Sequence, residues 1–243
     1  MTLRSSECMV GLLMFVLAGH HAGAATFDDV EFWVGTGANR AALVLDWNDG
    51  KSPEAFVWGY RWDGEATGLD MLRAVVEADD RLFAHVSEPG PFGVSVYGIG
   101  YDLSGDGVFM VNPAIPFDFG GWSVGSADDS RAAVDVGDHW AEGWNTGFWG
   151  YSIKGSADEP WASALTGPLG RNLSDGAWDG YSFAPGFNFT DPSEPLPAPV
   201  PEPRAIALLL IGGTVLLKAC TRRVATATER SAKDNSVGCN ISA

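Results

Sequence analysis

The stretch AALVLDWNDGKSPEAFVWGYRW, residues 41–62, contains two apolar runs separated by a turn signal. The runs Ala41 to Trp47 and Ala55 to Trp62 are rich in β-branched and aromatic residues, which favour strands. Between them, Asn48-Asp49-Gly50 supplies residues that tolerate the positive φ angles of tight turns. The stretch therefore predicts a β-hairpin.

Similar short runs, bounded by Gly, Asp and Asn, recur along the chain and predict further strands. They are Phe27 to Val34, Phe92 to Tyr101, Thr146 to Ile153 and Trp178 to Phe183. No regular alternation of strands with helices is present, so a parallel sheet is not favoured. The prediction is a mainly β fold, an antiparallel β-sandwich or jelly-roll-like domain.

One segment has helical rather than strand spacing. Leu69, Leu72, Val75 and Val76 recur at helical intervals. Thr67 precedes them, and an acidic residue three positions later completes the pattern of a capping box. The sequence therefore predicts one short helix at about 68–78.

Both ends of the chain differ from this central part. Residues 1–24 carry one basic residue, an apolar run of ten residues and a small-residue A-x-A pattern, as a cleavable signal peptide does. Residues 196–204 are rich in proline, which predicts an extended linker. Residues 205–221 are apolar enough for a short membrane helix, and residues 222–243 begin with a basic cluster that favours the cytoplasmic side.

The C-terminal end has a recognisable order of parts. Pro201, Glu202 and Pro203 precede the apolar segment, and Arg222 and Arg223 follow it. This order resembles the PEP-CTERM sorting signal of Gram-negative bacteria. The resemblance implies an exported envelope protein that is recognised by a membrane protease of the exosortase type. The polar tail after Arg223 departs from the family pattern, and a stable single-pass anchor is the alternative.

The composition limits the function classes that this chain can serve. It has 31 acidic and 15 basic residues, with a net charge of −16, which argues against a nucleic-acid partner. Cys8, Cys220 and Cys239 all lie outside residues 25–195, so this outer domain has neither disulfides nor thiol chemistry. We expect one acidic β-domain that relies on core packing alone.

Tryptophan is the most distinctive component of the outer domain. All ten tryptophans lie there, and aromatic side chains provide both core volume and stacking platforms. The tripeptide Trp-Gly-Tyr occurs twice, at residues 58–60 and 149–151, each time in a predicted strand. Packing of tryptophan over glycine in the core is one interpretation, and a ligand floor is the other. The residues predicted to bind a ligand are Trp58, Tyr60, Arg61, Trp62, Trp149 and Tyr151.

One loop has the spacing of a calcium site. Asp102, Ser104 and Asp106 place oxygen atoms at alternate positions, and Gly107 follows. The EF-hand form is excluded because its bidentate glutamate would fall at Pro113. A Ca²⁺ site completed by a distant carboxylate is one reading of this loop, and a plain turn is the other.

The sequence has no specific catalytic pattern. Gly121 to Gly125 matches the G-x-S-x-G pattern, but two prolines precede it where a nucleophile elbow needs a buried strand. Glycoside hydrolysis needs only two suitable carboxylates, and no spacing here singles out a pair. We predict no catalytic residues and a non-catalytic role. A secreted hydrolase that acts on polysaccharide stays the alternative.

A second resemblance concerns the outer domain itself. Residues 39–83, together with the closing segment Leu173 to Tyr181, resemble a family of exported bacterial surface proteins. Some similar sequences are associated with cobalamin or metal uptake. The sequence as a whole predicts an envelope or extracellular-matrix protein whose β-domain binds a glycan or another small ligand. A corrinoid- or metal-uptake-associated binding protein is a further alternative.

Overall fold

A computed structural model describes residues 25–91 and 93–201 and shows a mainly β fold with one α-helix. The helix α1 spans Gly68–Ala78, and short 3₁₀ helices span Phe27–Asp29 and Pro168–Gly170. The strands are β1 (Trp33–Gly35), β2 (Asn39–Asp46), β3 (Ala55–Trp62), β4 (Leu82–Val86), β5 (Val96–Tyr101), β6 (Val111–Asn112), β7 (Trp122–Val124), β8 (Ala132–Ala133), β9 (His139–Glu142), β10 (Gly147–Lys154), β11 (Ala162–Ser163), β12 (Trp178–Pro185) and β13 (Leu196–Pro197).

The largest sheet has the order β1-β3-β2-β12-β10-β11, and β13 also pairs with β3. The predicted hairpin of β2 and β3 is confirmed, with Leu43 opposite Trp58 and positive φ angles at Asn48 and Gly50. The expectation of purely antiparallel sheets is wrong. β1 and β13 run parallel to β3, β12 runs parallel to β2, and β7 runs parallel to β4. Parallel neighbours are joined by long connections, which local sequence patterns do not reveal.

A second sheet, in the order β7-β4-β5-β9, shares one hydrophobic core with the large sheet. Strand alternation directs Leu43, Leu45 and Trp58 of the large sheet into this core, and Leu82 and Ile99 enter it from the second sheet. The opposite face of the large sheet is covered as well, by a smaller cluster around Trp178. The central strands β2, β3 and β12 of the large sheet are therefore covered on both faces.

Helix α1 is confirmed at its predicted boundaries. The side chains and backbone of Thr67 and Asp70 form the capping box. Met71, Leu72 and Val75 are fully buried in the shared core. The apolar stripe thus gives the helix its packing face, and the box satisfies its first backbone donors.

The predicted strand from Phe27 to Val34 is largely wrong. Its first part is the 3₁₀ helix Phe27–Asp29, in which the Thr26 side chain accepts from the Asp28 backbone N–H. The Asp29 carboxylate accepts in turn from Thr26. This local capping competes with strand pairing, and only the last residues of the run reach β1.

The chain stays attached to the domain beyond the boundary that was expected at residue 195. Leu196 and Pro197 pair with β3, and Ala198 is fully buried and donates its backbone N–H to the Val57 carbonyl. The Arg81 guanidinium donates to the Pro199 carbonyl. The start of the expected linker is therefore part of the folded domain. Proline tolerates this position because β13 lies at a sheet edge.

Several predicted segments lie outside the described residues: the predicted signal peptide (residues 1–24), the predicted membrane helix (residues 205–221), and the basic cluster and tail (residues 222–243). Glu202, Pro203, Arg222 and Arg223 of the predicted sorting motif also lie outside them. Pro201 is described, and it lines a groove beside Glu77 and Asp118. Within residues 25–201, no helix combines the length and apolar character needed to cross a membrane.

Candidate ligand-binding site

Three of the predicted ligand-binding residues are core residues. Trp58 is fully buried, and its indole N–H donates to Asp79 Oδ2 at 3.1 Å. Trp149 is 6% exposed and donates to the Ala141 carbonyl at 3.0 Å. Trp62 is also buried. The indole N–H groups of Trp58 and Trp149 thus bond within the protein, so the main role of these rings is packing.

The other residues from β3 lie apart from one another. The half-buried Tyr60 ring stacks on Trp62 with 5.5 Å between ring centroids. Arg61 points to the opposite face of the sheet, where its guanidinium lies 4.6 Å from the centroid of the Trp33 ring. Arg61 therefore does not share a surface with the two aromatic residues on either side of it.

Trp149 and Tyr151 line a half-open cavity of about 210 Å³. None of the predicted residues from β3 belongs to its wall. Three further aromatic residues do: the exposed Trp144, the half-buried Phe148 and the buried Tyr181. The remaining wall comes from Val94, Ser95, Val96, Thr166, Gly167 and Pro168.

The predicted set of ligand-binding residues lacks Trp144, Phe148 and Tyr181. For Tyr181, the pairing of two predicted strands would have indicated its place. β10 pairs with β12 in antiparallel register, which places Tyr151 directly opposite Tyr181. Their rings stack with 4.7 Å between centroids. Tyr181 is part of the closing segment that resembles other surface proteins, but only the strand pairing shows that it meets Tyr151.

A buried polar cluster lies behind the two tyrosines. The Tyr151 hydroxyl donates to Asp179 Oδ2, and Arg171 Nε lies 3.5 Å from Asp179 Oδ1. That separation is too long for a good hydrogen bond, and neither atom has another hydrogen-bond partner in the part of the chain that the structure describes. The hydroxyl of Tyr181 is buried and also has no hydrogen-bond partner among the described residues.

The electrostatics of this cluster follow from its burial. Loss of solvent raises the pKa of the Asp179 carboxyl, and the Tyr151 hydrogen bond and the Arg171 charge oppose the rise. Burial also raises the pKa of Tyr151 and that of Tyr181, so both hydroxyls stay protonated at neutral pH. Two neutral, buried hydroxyl groups therefore lie behind the cavity.

Helix α1 begins directly against this cluster. A side chain at Gly68 would overlap the Tyr151 hydroxyl and lie 2.8 Å from Asp179 Oδ2. The Gly68 backbone N–H donates to the Arg171 carbonyl at 2.8 Å. The glycine at the helix start thus allows the helix and the polar cluster to approach closely.

The predicted metal loop is folded as a compact turn. Asp102 Oδ1 accepts from the Gly105 N–H at 2.7 Å and from the Ser104 hydroxyl at 3.1 Å, and its Oδ2 accepts from the Gly107 N–H at 2.8 Å. Asp106 is exposed and accepts from the Val108 N–H. In the part of the chain that the structure describes, no group of three or more His, Cys, Asp or Glu residues is placed to hold a metal ion.

The serine of the G-x-S-x-G pattern, Ser123, is a buried residue of β7. A catalytic serine would also need a histidine with a free ring nitrogen. His139 follows the pattern in sequence, but its Nδ1 is engaged with the Asp49 carboxylate and its Nε2 with the Pro53 carbonyl at 3.0 Å. His139 is therefore held by the loop between β2 and β3.

Comparisons with protein-family models, with curated proteins and with solved structures found no match to this chain.

Proposed function

We propose that this chain is an exported envelope or extracellular-matrix protein whose β-domain binds, without catalysis, a small ring-shaped ligand or the terminal unit of a glycan. The observation that carries the proposal is the cavity between Trp144 and the stacked pair Tyr151 and Tyr181. Aromatic walls with a few polar groups are typical of small-molecule sites.

The size and polarity of the cavity narrow the ligand class. A volume of about 210 Å³ lies below the roughly 300–1,000 Å³ of sites for drug-sized ligands. A single sugar or planar ring therefore suits it better than a large ligand does. Because no charged side chain belongs to the wall, an uncharged ring is favoured.

The cellular part of the proposal rests on the chain ends. The PEP-CTERM-like order of Pro201, Glu202 and Pro203, an apolar segment and Arg222-Arg223 supports export and processing by an exosortase-type protease. The two sheets around a common core support a β-sandwich-like architecture for the outer domain. The outer domain contains no cysteine, so its folding does not depend on whether the compartment is oxidising or reducing.

The alternative functions have less support in the structure. A retaining or inverting glycosidase needs two carboxylates at the scissile bond, and none belongs to the wall of this cavity. Asp179 lies behind the wall and is held by Tyr151. A corrinoid is wider than a single ring and would have to lie across the mouth of the cavity, next to Trp144.

The test is a thermal-shift and calorimetric screen of the purified full chain against mono- and oligosaccharides, planar heterocycles and corrinoids. A ligand that binds only the folded state raises the unfolding midpoint. We expect Trp144→Ala to abolish the shift, because Trp144 is 55% exposed and forms one wall. Phe119→Ala is the matched control, since Phe119 is a fully exposed aromatic outside the cavity.

A shift that survives in Trp144→Ala would place the ligand elsewhere and overturn the proposal. Release of new reducing ends from an oligosaccharide would instead make the protein a hydrolase. No shift with any ligand of the panel would leave a purely structural role in the surface matrix as the better description.

A further inference from the structure

The chain that follows β13 is held against the domain by specific contacts. Ala198 is fully buried and donates its backbone N–H to β3 at 3.0 Å. The Arg81 guanidinium donates to the Pro199 carbonyl. Arg81 is fixed in turn by the buried carboxylate of Asp79, with 2.9 Å between Arg81 Nε and Asp79 Oδ1. These contacts bring the next residues to a defined place on the surface.

Pro201 lies at that place, in the wall of a half-open groove of about 510 Å³. The rest of the wall comes from the end of α1, the start of β4 and the turn before β7. Two aromatic residues belong to it, the half-buried Phe83 and the fully exposed Phe119. The wall also contains three acidic residues and, among the described residues, no Lys or Arg; the acidic residues are Glu77, Asp80 and Asp118.

The groove carries more negative than positive charge. Arg73 pairs with Glu77 on the exposed surface of α1, with 2.8 Å between Nε and Oε1. Asp118 Oδ1 accepts from the backbone N–H groups of Gly120 and Trp122, which carry no full charge. One guanidinium beside the wall does not neutralise three carboxylates in it. The groove therefore favours a cationic occupant that also offers an apolar surface to the two phenylalanines.

The residues that follow Pro201 have this complementary chemistry. They are Glu202, Pro203 and Arg204, and Arg204 is the first basic residue beyond the described part of the chain. Because an extended residue spans at most about 3.6 Å, the backbone of Arg204 lies within roughly 11 Å of Pro201 in any conformation. Covalent geometry alone thus keeps Arg204 close to the groove.

We propose that the groove is the docking site of this chain's own Pro203 and Arg204. The Pro203 ring packs on Phe119, and the Arg204 guanidinium pairs with the carboxylates of the wall. Aromatic-lined grooves commonly bind proline-rich segments, whose extended conformation is already restricted before binding. The planar guanidinium matches carboxylate groups in geometry as well as in charge. Repulsion by the same carboxylates keeps the Glu202 side chain out of the groove.

Docking of this segment makes the sorting-signal-like motif a part of the domain surface rather than of a free linker. A processing protease then has to recognise the motif on that surface or displace it first. This consequence rests on the export and processing proposed above. The docking itself depends neither on that proposal nor on the aromatic cavity, and its test involves neither a processing protease nor a ligand.

The test is limited trypsin digestion of the purified full chain, followed by mass spectrometry. Trypsin must take the Arg204 side chain into its specificity pocket, so docking protects the bond after Arg204. The rate of this cleavage is divided by the rate after Arg230 in the same chain. We expect the ratio to rise at least about fivefold in Glu77→Gln/Asp118→Asn, since cleavage follows the undocked fraction. Added NaCl should raise the ratio in the wild type only.

Phe119→Ala should raise the ratio as well, because Pro203 loses the ring on which it packs. The groove variants should keep the fold, since Glu77 and Phe119 are exposed and Asp118→Asn retains the oxygen that accepts from the backbone. Thermal unfolding checks this. The matched controls are Glu65→Gln and Leu165→Ala, which remove an exposed carboxylate and an exposed apolar side chain outside the groove and should leave the ratio unchanged.

Equal ratios in the wild type and both groove variants would overturn the proposal. Arg204 would then be either open to trypsin throughout or covered by the detergent rather than by the groove. An equal rise in the controls would trace the protection to overall stability and would contradict the docking too. Should one groove variant unfold at a lower temperature, the other variant decides.

Discussion

The two Trp-Gly-Tyr segments, residues 58–60 in β3 and residues 149–151 in β10, share a sequence and a local structure but differ in their surroundings. In both, the tryptophan points into the shared core and donates its indole N–H. In both, an aromatic ring from elsewhere covers the glycine. Trp33 lies against Gly59, and Phe189 lies against Gly150.

The tyrosines separate the two segments. Tyr60 stacks on Trp62, and its hydroxyl has no hydrogen bond to a described residue, whereas the Tyr151 hydroxyl donates to the buried Asp179. The difference arises from the neighbouring strand, because β12 brings Tyr181 and Asp179 to β10. The same motif thus serves packing in one strand, whereas in the other Trp149 and Tyr151 also line a cavity.

The largest expected effect tests the feature that the segments share. Trp58→Ala and Trp149→Ala should each lower the free energy of unfolding by about 3–5 kcal/mol, because each empties a core position. Trp144→Ala, at an exposed site, should cost less than about 1 kcal/mol. Urea unfolding measures all three. If Trp149→Ala costs as little as Trp144→Ala, Trp149 is not a core residue.

The glycines should show a smaller and unequal effect. Gly59→Ala should cost about 1–3 kcal/mol, because its methyl group overlaps a Trp33 ring fixed by a hydrogen bond to Val30. Gly150→Ala should cost less, since the half-buried Phe189 can move away. Thermal unfolding of both variants checks the order. Gly170→Ala is the control, because its added methyl group meets only ordinary contacts at 3.4 Å or more. Equal losses of stability in Gly59→Ala and Gly150→Ala would show that the Trp33 and Phe189 rings are held equally firmly.

The tyrosines should show the smallest effect and the clearest contrast. Tyr60→Phe should change stability by less than about 0.5 kcal/mol, whereas Tyr151→Phe should cost about 1–3 kcal/mol, because Asp179 loses its donor. A urea titration of both variants at neutral pH measures the difference. Equal costs would mean that the bond between Tyr151 and Asp179 contributes nothing measurable.

The cost of Tyr151→Phe should also depend on pH. Burial raises the pKa of Asp179 in the folded protein above 3.8, so stability falls as pH rises from about 3.8 through the folded-state pKa. Loss of the Tyr151 donor raises that pKa further and extends the fall. The variant should therefore be less destabilised near pH 4 than near pH 7, and a cost independent of pH would contradict this linkage.

The local features were predictable because their causes lie within a few residues. The hairpin of β2 and β3 and the helix α1 at Gly68–Ala78 follow from turn residues, a capping box and an apolar stripe. The strand predicted at Phe27 failed because the Thr26 side chain caps a competing 3₁₀ turn. β13 was missed because a proline-rich segment has no strand pattern of its own, and only its contact with β3 orders it.

The candidate sites were predictable only in part. Trp149 and Tyr151 belong to the cavity, but Trp58 and Trp62 are buried in the core, and Arg61 lies on the other face of the sheet. Composition shows that aromatic residues are abundant, and strand alternation shows which of them share a face. Neither shows which face a second sheet will cover.

The sequence by itself determined the mainly β character, the helix at Gly68–Ala78, the acidic composition and the sorting-signal-like order of the C-terminal end, since all of these depend on composition or on short-range spacing. Tertiary structure alone decided the parallel strand pairs and the meeting of Tyr151 with Tyr181. Each of these contacts joins residues that lie far apart along the chain, and the packing of two sheets around one core brings them together.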